Sequence, residues 1–470
     1  MNKLEMIQAL KDGNGLSKAD FDPIICGVID ACADCDTCRF LMNDDCLFFP
    51  ELYRLVDREK ESGQAAPDHE LKGLVELCTL CGLCPCPNIR NDIIKSKAAL
   101  VKHNGIPLSN RLLADVQKFG RICGMVPGLT NAVLSNSSVK EIVKRIAGIH
   151  PVRNLPRIPE ENFFTWAKGR GLCNTSANGN GVAYFAGCTA GYLFPEVGRA
   201  AVMVLEQNDV KVFVPTQQCC GMPTLVEGDF RTTLKRARSN LDSILTAKDR
   251  GFEPVSSCPT CGFLMKVLLK EGAYHSESYQ QLIGAGDNEI KIPDALGSGH
   301  FTHLIKSLYG EILKDDGLFN ALDPLGRIAL SDNLHDIGEY LARLFSEERL
   351  NTRFRTVTRR IVYFAPCHQR EQKIDSPYLR LLSLIPELVI EQVGGSMDCC
   401  GMGGSLGYKK DFHDVSVSLG SSVAAKISAL EPDMVVTDCL SCRIQFQHLL
   451  HFPVCHPLEI LSDAYNLNNI

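Results

Sequence analysis

A five-cysteine pattern occurs twice in this chain, and it constrains the fold more than any other feature. The first copy runs Cys188, Cys219-Cys220-Gly221 and Cys258-Pro-Thr-Cys261; the second runs Cys367, Cys399-Cys400-Gly401 and Cys439-Leu-Ser-Cys442. Matched positions lie 179 to 181 residues apart, the mark of an internal duplication. Adjacent cysteines are poorly placed to form a disulfide with each other. Five soft thiolates drawn from three places to one point suit iron and sulfide better than they suit packing.

The duplication extends to the flanking sequence. Val182-Ala-Tyr-Phe-Ala-Gly-Cys188 parallels Ile361-Val-Tyr-Phe-Ala-Pro-Cys367. Both read as short buried strands that end at the first cysteine. Further strands are expected at 210–214 and 254–258, with counterparts at 388–393 and 434–439. Helical patterns fall at 230–247 and 411–429. Such alternation predicts parallel α/β units with the cysteines at strand carboxyl ends. Residues 271–355 read as a mostly helical insertion, and the polar stretch 169–181 as a linker.

The first hundred residues hold nine cysteines and few strand signals. Cys32-Ala-Asp-Cys35-Asp-Thr-Cys38 and Cys78-Thr-Leu-Cys81-Gly-Leu-Cys84 are tandem Cys-x2-Cys-x2-Cys runs. In bacterial ferredoxin motifs a fourth cysteine, usually before proline, ligates the other cluster. Cys86-Pro87 follows the second run after one residue, and Cys46 follows the first after seven. By the crossing rule, cluster one takes Cys32, Cys35, Cys38 and Cys86, and cluster two takes Cys78, Cys81, Cys84 and Cys46. Structural zinc competes with this reading, but tetrahedral zinc has no use for a third thiol at that spacing.

The chain has 470 residues, 22 cysteines and a formal charge of -6. It is long for a secreted disulfide scaffold. Its start, Met1 to Gln8, is too polar for a signal peptide, so a reducing, cytoplasmic compartment is expected. The charge gives no reason to expect nucleic acid. No apolar run reaches the ~18 residues of a membrane span. Residues 111–149 carry six Lys or Arg against two acids. Leu112, Leu113, Val116, Phe119, Ile122 and Cys123 share one helical face there, and Val139, Ile142, Val143 and Ile146 share another. Such helices can lie on a membrane surface, but packing on the protein core is their commoner fate.

Four cysteines remain: Cys26, Cys123, Cys173 and Cys455. They are expected to pack as small buried hydrophobes. His368 and His456, beside cysteines, read first as structural histidines and second as residues that tune a cluster or relay a proton. Gly221 and Gly401 allow either a tight turn or a close approach of amides to cluster sulfurs. Gly401-Met-Gly-Gly-Ser-Leu-Gly407 lacks the dinucleotide register, which argues against an NAD site. No flavin motif is present.

The complete set resembles the heterodisulfide-reductase-like cysteine-rich (CCG) family. That family includes the iron–sulfur subunits of anaerobic glycerol-3-phosphate dehydrogenase and of glycolate and lactate oxidases. Pro366-Cys367-His368, the run from Cys399 to Lys410, Val435-Val-Thr-Asp-Cys439-Leu-Ser-Cys442, Cys455-His456-Pro457, Leu155-Pro156 and Trp166 carry the likeness. It implies an N-terminal, mainly helical ferredoxin-type domain (1–105) with two [4Fe–4S] clusters. A helical spacer and linker (106–180) and two repeated cysteine-rich parallel α/β domains (181–355 with its insertion, and 356–470) would follow. One or two further clusters, of the noncubane [4Fe–4S] kind, would sit on the repeated cysteines. The implied function is electron transfer in anaerobic respiration, from a flavoprotein dehydrogenase acting on glycerol-3-phosphate or a 2-hydroxy acid to a quinone such as menaquinone. The implied location is peripheral, on the cytoplasmic side of the inner membrane. The rivals are a catalytic subunit that reduces a disulfide at a noncubane cluster, and a non-redox metal scaffold. No catalytic residue is assigned.

Overall fold

The computed structural model describes residues 18–43, 45–174, 179–294, 300–395 and 398–467. The polar start, and residues 175–178 of the expected linker, lie outside the described residues.

The cysteine triplets break what would otherwise be one helical stack. Helices Lys18–Cys35, Thr37–Leu41, Phe48–Ser62, Asp68–Glu76 and Pro87–Asn104 bury Phe48, Phe49, Leu52, Leu74 and Ile94. A straight helix cannot turn three thiols at x2 spacing toward one point. The chain therefore leaves helical geometry at each triplet: Asp36 has φ 54°, Leu80 φ 55° and Gly82 φ 91°. Pro87, at the first turn of the next helix, resumes regular structure where its missing N–H is harmless.

Beyond the linker the chain builds two four-stranded parallel sheets. Between them in sequence, β4 Glu289–Pro293 and β5 Phe301–Ile305 form a separate antiparallel pair. The first sheet has the order β2-β1-β3-β6, with β1 Gly181–Phe185, β2 Val212–Phe213, β3 Phe252–Ser256 and β6 His335–Asp336. The second, in matching order, is β8-β7-β9-β10, with β7 Arg359–Phe364, β8 Leu388–Val393, β9 Met434–Val436 and β10 Val454–Cys455. The inner strands are apolar because helices cover both faces. Val182, Tyr184, Val255, Ile361, Tyr363 and Val436 lie in one buried core shared by both sheets. Helices Pro195–Glu206 and Pro457–Ala464 pack together in that core.

Three expectations need correction. The segment 271–355 is not mostly helical: it holds the β4–β5 pair and supplies β6. Both fourth strands are two residues long, too short to show a period of two. The helices at 111–149 turn only part of their apolar faces inward, with Val116 and Cys123 packed on the core. Leu112 (49% exposed), Ile122 (63%), Met125 (73%), Leu129 (63%), Ile142 (58%) and Ile146 (69%) face outward. Finally, Cys26 is exposed rather than buried, while Cys455 is buried as expected. Among the described residues no helix is long and apolar enough to cross a membrane.

Candidate metal centres

The structure gathers the eight N-terminal cysteines into two cavities that share an edge. Cys32, Cys35, Cys38 and Cys86 line one, with Phe49, Tyr53 and Ile89. Cys46, Cys78, Cys81 and Cys84 line the other, with Phe49, Leu80 and Ile93. Cys84 touches both. The thiols ring a space rather than meet at a point. Among the described residues no three His, Cys, Asp or Glu side chains converge at single-ion distance.

Burial pushes the Cys32 thiol up to about 12, and the neighbouring Cys38, Cys86 and Cys35 add to the effect. Burial likewise raises Cys46 to about 12 and Cys81 to about 11. Several thiolates cannot stay ionised in a dry, sulfur-rich pocket unless a cation takes them, and iron does so by bonding. The donor set is sulfur alone, which fits iron–sulfur chemistry.

In the repeats, each cysteine sits just past a strand. Cys188 opens a short helix after β1, Cys219-Cys220 follow β2, and Cys258 and Cys261 flank the turn after β3. Gly187, at φ 74°, lets the first segment close on the last: an added Cβ would stand 3.0 Å from Cys261 Sγ. Cys188 Sγ lies 3.4 Å from Cys219 Sγ, and sharing its proton holds Cys188 up and Cys219 down. Cys442 and Cys400, 3.1 Å apart, behave alike in the second repeat. The tight turn is present at Gly401. Its φ is 81° and an added Cβ would meet Ser416 O at 2.1 Å, while its N–H donates to Cys399 Sγ at 3.3 Å.

Spacer residues complete the sites, and no local motif marks them. The Cys219 N–H donates to Gln117 Oε1 at 2.9 Å. Arg236, whose charge acts on Cys219, pairs with Asp115 at 2.7 Å. In the second repeat Arg153 is fully buried, its charge felt by Cys400. Arg153 Nη2 donates to Met402 Sδ at 2.6 Å, but its Nε and Nη1 have no partner. A buried guanidinium without an anion is costly, so this orphan also fits a cluster whose thiolates and sulfides carry negative charge. Lys97, Glu76, Lys409 and Glu227 form a further buried ion network between the N-terminal helices and both repeats.

The second repeat lies against the N-terminal module. Cys399 and Gly401 line the cavity of Cys46, Cys78, Cys81 and Cys84. Between the two repeats stands His368. Its Nε2 donates to Leu80 O at 3.0 Å, and Thr260 Oγ1 donates to its Nδ1 at 3.0 Å. Its ring stacks on Phe263 at 4.8 Å. This one side chain thus touches the cysteine loops of three sites, and burial holds its imidazole below the ordinary histidine range. His456 is the structural histidine expected: the Leu458 N–H donates to its Nδ1 at 3.1 Å, capping a helix, and its Nε2 donates to Ser257 O at 3.1 Å.

The two α/β units match the family model of the cysteine-rich domain, CCG, over residues 182–266 and 361–447. The chain carries both as CCG domains, after a helical, cysteine-rich N-terminal region. It is a homologue of the C subunit of anaerobic glycerol-3-phosphate dehydrogenase. That protein of Escherichia coli (strain K12) is 23% identical over 375 residues, covering 79% of this chain and 81% of the relative. The B subunit of the CoM/CoB fumarate reductase of Methanothermobacter marburgensis is 26% identical over 302 residues, 61% of this chain and 47% of that one. A lactate utilization protein A 2 of Bacillus cereus is 23% identical over 294 residues, 61% of this chain and 99% of the relative.

Proposed function

We propose that this chain is an iron–sulfur electron-transfer subunit that carries electrons from a flavin-dependent dehydrogenase to a quinone. The observation that carries the reading is the contiguity of the sites: Cys84 borders both N-terminal cavities, and Cys399 borders the second. The ligands would be Cys32, Cys35, Cys38 and Cys86 for one [4Fe–4S] cluster and Cys46, Cys78, Cys81 and Cys84 for the other. Cys188, Cys219, Cys220, Cys258 and Cys261 would hold a further cluster, and Cys367, Cys399, Cys400, Cys439 and Cys442 its counterpart. Bound clusters of this kind take up and release single electrons at potentials set by charge, hydrogen bonds and exposure. The protein's part is to hold them close together and away from water.

Electrons would enter at the first cavity, where Cys35 and Cys86 are exposed and Phe40 stands 80% exposed nearby for a flavoprotein partner. The relatives named as a dehydrogenase subunit and a lactate utilization protein support such a partner. The outward apolar face of helices 108–146, with Arg111, Lys118, Arg121, Lys140 and Arg145, supports contact with an anionic membrane surface where quinone resides. The domain division is that of 1–105, 106–180, 181–355 and 356–470.

A second reading, reduction of a disulfide at a CCG cluster, draws support from the completeness of both cysteine sets and from the CoM/CoB fumarate reductase relative. The test is to reduce the anaerobically purified protein and mix it with a menaquinone analogue or with a small organic disulfide. Reoxidation by the quinone alone supports the relay. Reoxidation by the disulfide alone overturns it in favour of the second reading.

A further inference from the structure

The cations beside the cysteine sites are not treated alike. Arg90, whose charge acts on Cys78 and Cys84, pairs with Glu271. Lys97, which also acts on Cys78, faces Glu76 at 3.9 Å. Arg236, beside Cys219, is met by Asp115 at 2.7 Å. At the second repeat, Arg153 is fully buried and no carboxylate among the described residues pairs with it. Around it are Met402 Sδ, the Tyr408 ring at 5.3 Å and Cys400. Arg370, whose charge acts on Cys367, donates to the backbone carbonyls of Ala365 at 2.8 Å and Asp398 at 2.7 Å, and its charge also reaches the carboxyls of Asp398 and Glu371. The acid next to this site, Asp438, accepts from Tyr363 Oη at 2.7 Å.

From this asymmetry we infer that Arg153 is a positioning residue that holds the second repeat's cluster at a higher reduction potential than the first repeat's. The inference rests on the electron-transfer reading. Arginine keeps its charge in proteins, and an uncompensated positive charge in a dry site favours the state with one more electron. In the first repeat the Arg236–Asp115 pair cancels most of that field. The same side chain of Arg153 reaches the second repeat from the segment after helix Ser137–Ile146, whose apolar face is exposed. Electrons would therefore settle at the second repeat. The chain itself would set their direction.

The experiment is a redox titration of the anaerobic holoprotein followed by electron paramagnetic resonance. Each repeat's signal is assigned by its loss in Cys258→Ser or Cys439→Ser. The second repeat should titrate higher in the native protein. Arg153→Gln should lower that potential, shifting the reduced-to-oxidised ratio at least about tenfold, or ~59 mV for one electron. Arg153→Lys should restore it. Asp115→Asn, which can still cap its helix, should raise the first repeat's potential and narrow the gap. Should Arg153→Gln lose iron, the Asp115→Asn shift decides alone. An unchanged potential in iron-replete Arg153→Gln, or a higher native potential at the first repeat, overturns the inference. Native protein with no iron–sulfur signal from either repeat overturns the electron-transfer reading itself.

Discussion

The two cysteine-rich repeats share a strand order and a five-thiol frame, yet their surroundings differ at nearly every charged or polar neighbour. The first repeat's Tyr184 bonds Ser257 at 2.8 Å; the matched Tyr363 of the second bonds the carboxyl of Asp438 at 2.7 Å. The residue after or at the end of the fourth strand is Asp336 in one and His456 in the other. A paired guanidinium, Arg236, faces the first set of thiols and an unpaired one, Arg153, faces the second. The second set alone contributes to an N-terminal cavity. Duplication thus reproduces the sulfur frame, whereas the electrostatics differ both inside the repeats, at Ser257 against Asp438 and Asp336 against His456, and through the spacer residues Asp115 and Arg153.

The largest effect is expected where both repeats depend on one site. Cys81→Ser should remove one cluster's worth of iron and slow the reduction of both repeats at least about tenfold. Cys188→Ser should silence the first repeat only. Rapid-freeze spectroscopy after mixing with a reductant separates the two, and equal losses from both variants would break the proposed order of sites.

Next come the paired glycines. In Gly401→Ala the new Cβ meets backbone at 2.1 Å and the residue is held at φ 81°. In Gly221→Ala its nearest neighbour is the Thr233 side chain, at 3.2 Å, with the Thr233 backbone no closer than 3.5 Å, at φ 107°. Urea unfolding should show about 3 kcal/mol lost at Gly401 and about 1 to 2 at Gly221. The two tyrosines rank lower. Tyr363→Phe leaves the buried Asp438 carboxyl without its donor and should cost about 1 to 3 kcal/mol, against about 1 for Tyr184→Phe.

The last contrast lies in pH. Burial depresses His456 to about 3, so between that value and the ordinary ~6.5 the unfolded chain binds the extra proton. Stability from this residue is full above ~6.5 and falls as pH drops, by about 1.4 kcal/mol per unit. Burial raises the matched Asp336 carboxyl well above its usual range. The folded chain binds the extra proton there, so stability from Asp336 is full below the ordinary ~3.9 and is lost as pH rises. Melting temperatures across pH should flatten on the acid side in His456→Asn and on the alkaline side in Asp336→Asn.

Much of the fold is legible in the residues. The matched runs ending in Cys188 and Cys367 mark β1 and β7, and the strand expected at 388–393 is β8. The helices expected at 230–247 and 411–429 are Phe230–Asp249 and His413–Ser428. The strands expected at 210–214 and 434–439 are shorter, Val212–Phe213 and Met434–Val436, and the one expected at 254–258 lies two residues earlier, at Phe252–Ser256, so that each ends before its cysteines. The features that escape a reading of the sequence depend on distance along it. Asp115 meets Arg236 across 121 residues and Arg153 meets Met402 across 249. Nothing in a local pattern marks either pair. The spacer helices carry the periodicity of core-packed helices, and only the folded arrangement shows that much of their apolar side is left outward.

The most direct test of the electron-transfer reading is the iron, acid-labile sulfide and zinc content of anaerobically purified protein, with paramagnetic resonance of its oxidised and reduced forms. Iron and sulfide sufficient for two [4Fe–4S] clusters and more, with signals unlike those of ordinary cubanes, is the expected result. Zinc in the cysteine sites with little sulfide would contradict it and leave a structural metal protein.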